Sequence, residues 1–162
     1  MQNFLFEKEK FIYKKYDSII TELCDDIIEL YDISIDKCNI TNSLNFSKIK
    51  QHLIHELQKC LMIYEKQIFK KLNFLNIKKE QYHFIIEDSK CNNHIHNLST
   101  IKQKQFVYIW FLNDYDGEIS FFNDYKIIPK AGLFILFPIS WCFPYSEFIK
   151  LNENRYIIYG YL

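Results

Sequence analysis

Hydrophobic positions along this chain fall into two regimes, and the first is helical. Ile20, Leu23, Ile27 and Leu30 step by three and four, which places them on one stripe, and Asp17 and Ser18 stand just ahead as candidate N-caps. A polar interval from Ser34 to Asn45 reads as a connection. Ser47 is then positioned to cap a longer helix in which Leu53, Leu57, Leu61, Tyr64 and Ile68 again step by three and four. Both helices are apolar on one side only, so each needs a surface to lie against.

From Tyr82 the pattern changes to short β-branched and aromatic runs broken by polar turns. The runs are Gln81–Glu87, a stretch around His94, Phe106–Leu112, Ile119–Phe122, Lys126–Ile128, Leu133–Phe137 and Tyr156–Tyr161. Asn113-Asp114-Tyr115-Asp116-Gly117 and Pro129-Lys130-Ala131-Gly132 carry turn chemistry. Helices followed by many short strands predict an α+β fold, with the helices covering one face of a sheet or barrel. At 162 residues the expectation is a single domain, with residues 1–79 as mainly helical support and 80–162 as the strand-built core.

Composition narrows the function classes. Hydrophobic residues make up 49% and aromatics 18%, which argues against disorder. Twenty basic and 20 acidic side chains give a formal charge of zero, and Lys14-Lys15, Lys70-Lys71 and Lys78-Lys79 are scattered pairs beside acidic or apolar neighbours. Without a basic surplus or stripe, no nucleic-acid partner is expected. The five cysteines (Cys24, Cys38, Cys60, Cys91, Cys142) are odd in number and form no Cys-x-x-Cys pair for zinc. Met1 to Lys8 lacks the cationic start and apolar core of a signal peptide, and the longest apolar run, Leu133 to Pro138, is strand-sized. The expected setting is reducing and cytoplasmic, with no membrane. Ile, Lys, Asn, Phe and Tyr are heavily used, which suggests drift toward A- and T-rich codons. Arg155, the only arginine, draws attention because it survives that drift.

In the strand half, Phe106–Asp114, Asp116–Phe121, Ile128–Gly132, Leu133–Pro138 and Asn154–Tyr156, in that order, together resemble the 2-oxoglutarate/Fe(II) oxygenases, and within them the prolyl 4-hydroxylase-like enzymes. Phe106-Val-Tyr-Ile-Trp-Phe-Leu-Asn-Asp114 is similar to their strand ending in Tyr-Leu-Asn-Asp. Asp116-Gly-Glu-Ile-Ser-Phe121 sits where they carry Gly-Gly-Glu-Thr-x-Phe, Ile128-Pro-Lys-Ala-Gly132 matches a Pro-x-x-Gly turn, and Leu133 to Pro138 matches the buried strand that follows. Asn154-Arg-Tyr156 matches their last strand, and the helical half resembles their N-terminal support. The resemblance implies a double-stranded β-helix, or jelly roll, behind supporting helices.

It also implies a chemistry. Such enzymes hold Fe(II) with a His-x-Asp/Glu pair and a later histidine, leaving positions for 2-oxoglutarate and O2. The pair needs i, i+2 spacing because alternate side chains of a strand point the same way. His94-Ile95-His96 has that spacing and the right place, with His96 where a carboxylate is expected; reading His96 as the first ligand puts Leu98 at the acidic position instead. Ile85-Ile86-Glu87 keeps an acid but has no histidine. Tyr145 occupies the later histidine's position. The metal candidates are therefore His94, His96 and Tyr145, in a degenerate triad, and their alternative is a polar loop that binds nothing. His52 and His55, on the second helix, read as surface or helix-edge residues.

For the co-substrate the resemblance implies that Arg155 pairs with the distal carboxylate of 2-oxoglutarate, which suits a guanidinium's two parallel donors. The alternative is an internal partner such as Glu118 or Glu87. Tyr108 adds a hydroxyl to the same pocket if its alternation points inward. Two function classes follow. One is an active or modified oxygenase hydroxylating a peptide or small molecule with Fe(II) and 2-oxoglutarate. The other, the favoured expectation, is a degenerate relative that keeps the barrel as a binding module for a protein partner. A cupin-like small-molecule binder has only the jelly roll in its favour.

Overall fold

The computed structural model describes residues 8–37, 39–68, 77–78, 81–89, 104–122, 124–139, 143–150 and 152–162. Two α-helices and eight strands lie among them. The first helix, α1, spans Ser18–Ile33 and the second, α2, spans Ser47–Gln67. The strands are β1 (Tyr13–Tyr16), β2 (Ile85–Asp88), β3 (Phe106–Phe111), β4 (Gly117–Phe121), β5 (Tyr125–Ile127), β6 (Leu133–Pro138), β7 (Tyr145–Ile149) and β8 (Tyr156–Tyr161).

Asp17 is the N-cap of α1: its carboxylate accepts the Ile20 N–H at 3.1 Å, which satisfies one of the helix's orphan donors. Ser47 is instead the first residue of α2 and caps nothing; Phe46 stands at the cap, and its N–H is taken by the Ser43 hydroxyl at 3.3 Å. The buried stripe of α1 runs through Ile20, Cys24, Ile27 and Tyr31, so Leu23 and Leu30 lie at its margin. On α2 it runs through Leu53, Leu57, Cys60, Leu61 and Tyr64.

All strand pairs are antiparallel. A five-stranded sheet has the order β1-β6-β3-β8-β2 and a three-stranded sheet the order β5-β4-β7. Neither sheet closes on itself among the described strands. The helices cover one face of the larger sheet and the smaller sheet covers the other. Side chains of β3, β6 and β8 therefore alternate between two cores. Tyr108, Trp110, Phe134, Leu136 and Ile158 meet the helices, whereas Val107, Ile109, Phe111, Ile135, Phe137 and Ile157 meet the smaller sheet. All six residues of β3 are buried.

The two expected turns form and are tied together. Asp114, in the first, accepts the Ala131 N–H at 2.8 Å and the Lys130 ammonium at 2.7 Å from the second. Asn113 reaches the start of β8, accepting from Tyr156 N–H and donating to the Asn154 carbonyl. Gly132, at φ 77°, closes the second turn against Asp17 and Thr21 at the start of α1, where a Cβ would collide with the Thr21 side chain. The helical half also contributes a strand, β1, to the edge of the larger sheet. No helix among the described residues is long and apolar enough to cross a membrane.

Candidate functional site

Arg155 anchors the one buried ionic cluster between the two sheets among the described residues. It precedes β8, is 1% exposed, and points into the space where the smaller sheet faces the larger. Its Nη2 donates to Glu87 Oε1 and its Nη1 to Glu147 Oε2, both at 2.6 Å. Glu87 comes from β2, which pairs with β8 beside Arg155; Glu147 comes from β7, across the interior. The hydroxyl of Tyr115 donates to the other Glu147 oxygen at 2.8 Å. Tyr159 hydrogen-bonds Glu87, and burial first, then the Glu87 charge, holds its phenol well above the usual range. A buried guanidinium is tolerable only with partners of this kind, and here the chain supplies two. Of the internal partners the sequence offered, Glu87 is one; Glu118 is not, since it pairs with Lys126 at 2.8 Å on the outer face.

Tyr145 also faces the space between the sheets, two residues before Glu147 on β7. Its ring packs on Phe137 at 4.8 Å and near Phe121 at 6.1 Å. Burial, and after it the negative charge of Glu147, push its phenol up to about 12. His94 and His96 lie outside the described residues. Among the described residues no group of three His, Cys, Asp or Glu side chains is placed to hold a metal ion.

Tyr108 is not brought to Arg155. It lies on the opposite, helix-facing side of the larger sheet, crosses Gly160 on the neighbouring strand, and donates to the His83 carbonyl at 2.6 Å. The inward alternation that would have placed it in the co-substrate pocket belongs to Val107 and Ile109 instead. His52 is not a free surface residue: its Nε2 stands 3.1 and 3.2 Å from the two Asp17 oxygens, joining α2 to the cap of α1. His55 is exposed, as expected.

Two members of the cluster were missed in the sequence. Glu147 and Tyr115 sit in stretches without strand alternation, and only the fold brings them to Arg155. Chemically the cluster can hold an anion on the guanidinium or be held by the protein's own carboxylates, and the latter arrangement is the one present. Compared with known proteins, the chain matches no family model and no curated protein.

Proposed function

We propose that this chain is a prolyl 4-hydroxylase-like double-stranded β-helix protein that has kept the scaffold and acts as a binding module for a protein partner, without iron- and 2-oxoglutarate-dependent chemistry. The jelly-roll reading is supported by the way successive strands change sheets: β3 to β4, β5 to β6, β6 to β7 and β7 to β8 all cross from one layer to the other. It is supported too by helices packed on the outer face of the larger sheet.

The observation that carries the functional reading is the filling of Arg155. The position at which the resemblance would seat a co-substrate carboxylate is taken by Glu87 and Glu147. Tyr145, packed among phenylalanines, adds to it. A partner of protein type is favoured by Ile33, Ile35 and Leu44, which are exposed along the α1–α2 connection.

The test is thermal stability of the purified protein under anaerobic conditions, with Fe(II) or Mn(II), with 2-oxoglutarate, and with both. A ligand present at about 100 times its dissociation constant would add about 2.7 kcal/mol, a readily measured rise in Tm. No rise is expected. A joint rise that His94→Ala or Arg155→Ala abolishes would overturn the module reading in favour of an oxygenase.

A further inference from the structure

We infer that Glu147 is an intramolecular plug: a carboxylate ligand of Arg155 that closes, from the solvent side, a site able to hold a free carboxylate. The inference rests on the reading of the chain as a module whose Arg155 is internally filled, and concerns which of the two internal carboxylates is the removable one.

The two are not equivalent. Glu87 is 8% exposed and lies in β2, an edge strand of the helix-covered sheet, directly beside β8. Glu147 lies in β7, the described edge of the smaller sheet, where Ser146 and Phe148 on either side are exposed. Its backbone is open to water while its side chain, 24% exposed, turns inward. Both strands are edges of their sheets among the described residues, but the Glu147 side chain is 24% exposed against 11% for Glu87, so Glu147 is the more readily turned out into water.

What Glu147 would leave behind is an anion site already formed. The Arg155 Nη1 donor and the Tyr115 hydroxyl converge on the two oxygens of one carboxylate, at 2.6 and 2.8 Å. Arg155 is also held from its other terminal nitrogen by Glu87. A small monocarboxylate would meet the same two donors and restore the same charge balance. The site thus fits a carboxylate of acetate or propionate size. A phosphate dianion would bring a second negative charge beside Glu87 and is disfavoured.

Chemical rescue tests this. Glu147→Ala should melt below wild type, and acetate or propionate should raise its Tm with the logarithm of concentration, while chloride at equal ionic strength should not. The wild-type protein should not respond. Glu147→Gln, which keeps the volume and an acceptor, should respond less than the alanine variant. If Glu147→Ala does not fold alone, refolding with propionate should recover it. A folded Glu147→Ala indifferent to every carboxylate, or an unfolded one that propionate does not recover, overturns the plug and leaves the module reading standing. A wild type stabilised by metal with 2-oxoglutarate overturns the module reading itself.

Discussion

At the scale of single residues, charge placement does most to distinguish this protein. Arg155 was legible as unusual because it is the only arginine in a lysine-rich chain, and one of its partners, Glu87, could be nominated from the sequence. Glu147 could not, because nothing in Tyr145-Ser-Glu-Phe-Ile149 marks its third residue as inward-facing. Arg155→Met leaves two carboxylates between the sheets without their cation and should lower unfolding free energy by about 3–5 kcal/mol in urea titration. A second buried acid behaves differently. Burial alone would raise the Glu56 carboxyl, but hydrogen bonds from Lys15 at 2.8 Å and Lys59 at 2.6 Å outweigh it and hold it down at about 2. A depressed carboxylate contributes stability that is complete above its unfolded value near 4.5 and lost as pH falls toward 2. The stability difference between wild type and Glu56→Gln should shrink over that window, as read from denaturation curves at stepped pH.

Among the elements, legibility followed how cleanly burial matched pattern. Both helices were readable because their apolar residues recur at helical spacing, although the buried stripe of α1 turns to Cys24 and Tyr31, leaving Leu23 and Leu30 beside it, and Ile68 falls just past α2. The β7 strand was not, because its inward positions are Tyr145, Glu147 and Ile149 while Phe148 points to solvent at 62% exposure. Its hydrophobic pattern is inverted by the polar cluster it serves. The β1 strand was missed because Tyr13 is the only buried residue in Tyr-Lys-Lys-Tyr. The register of β3 was equally unreadable: a strand apolar on both faces gives no alternation to follow, so the direction of Tyr108 had to come from the structure. Two predictions belong to α1. Asp17→Ala removes both the N-cap and the partner of His52, and should lower stability by about 1 kcal/mol or more in thermal melts. The outer face of α1 carries Glu22, Asp25, Asp26 and Glu29, none with a cationic partner among the described residues. Asp26→Lys puts a cation four residues after Glu22 and three before Glu29. It should stabilise by about 0.2–0.5 kcal/mol per pair in low salt, an effect that fades as salt is added.

Across the whole molecule, the α+β class and its division into helices and strands were readable, because both rest on periodicity. The pairing of strands into two sheets was not, since it depends on contacts far apart in sequence. That pairing makes the two cores inseparable: β3, β6 and β8 give one set of side chains to the helices and the alternate set to the smaller sheet. Unfolding followed by tyrosine and tryptophan near-UV signals and by backbone far-UV signals should therefore superimpose in one transition; two separate transitions would mean that the smaller sheet melts on its own. The β3 strand lies at the centre of this arrangement, covered above and below and flanked by β6 and β8. Its amide protons have no local route to solvent. Placed in heavy water, the native protein should give up those protons last, and their exchange should report the rare opening of the entire molecule, while β7 exchanges through small fluctuations at its edge.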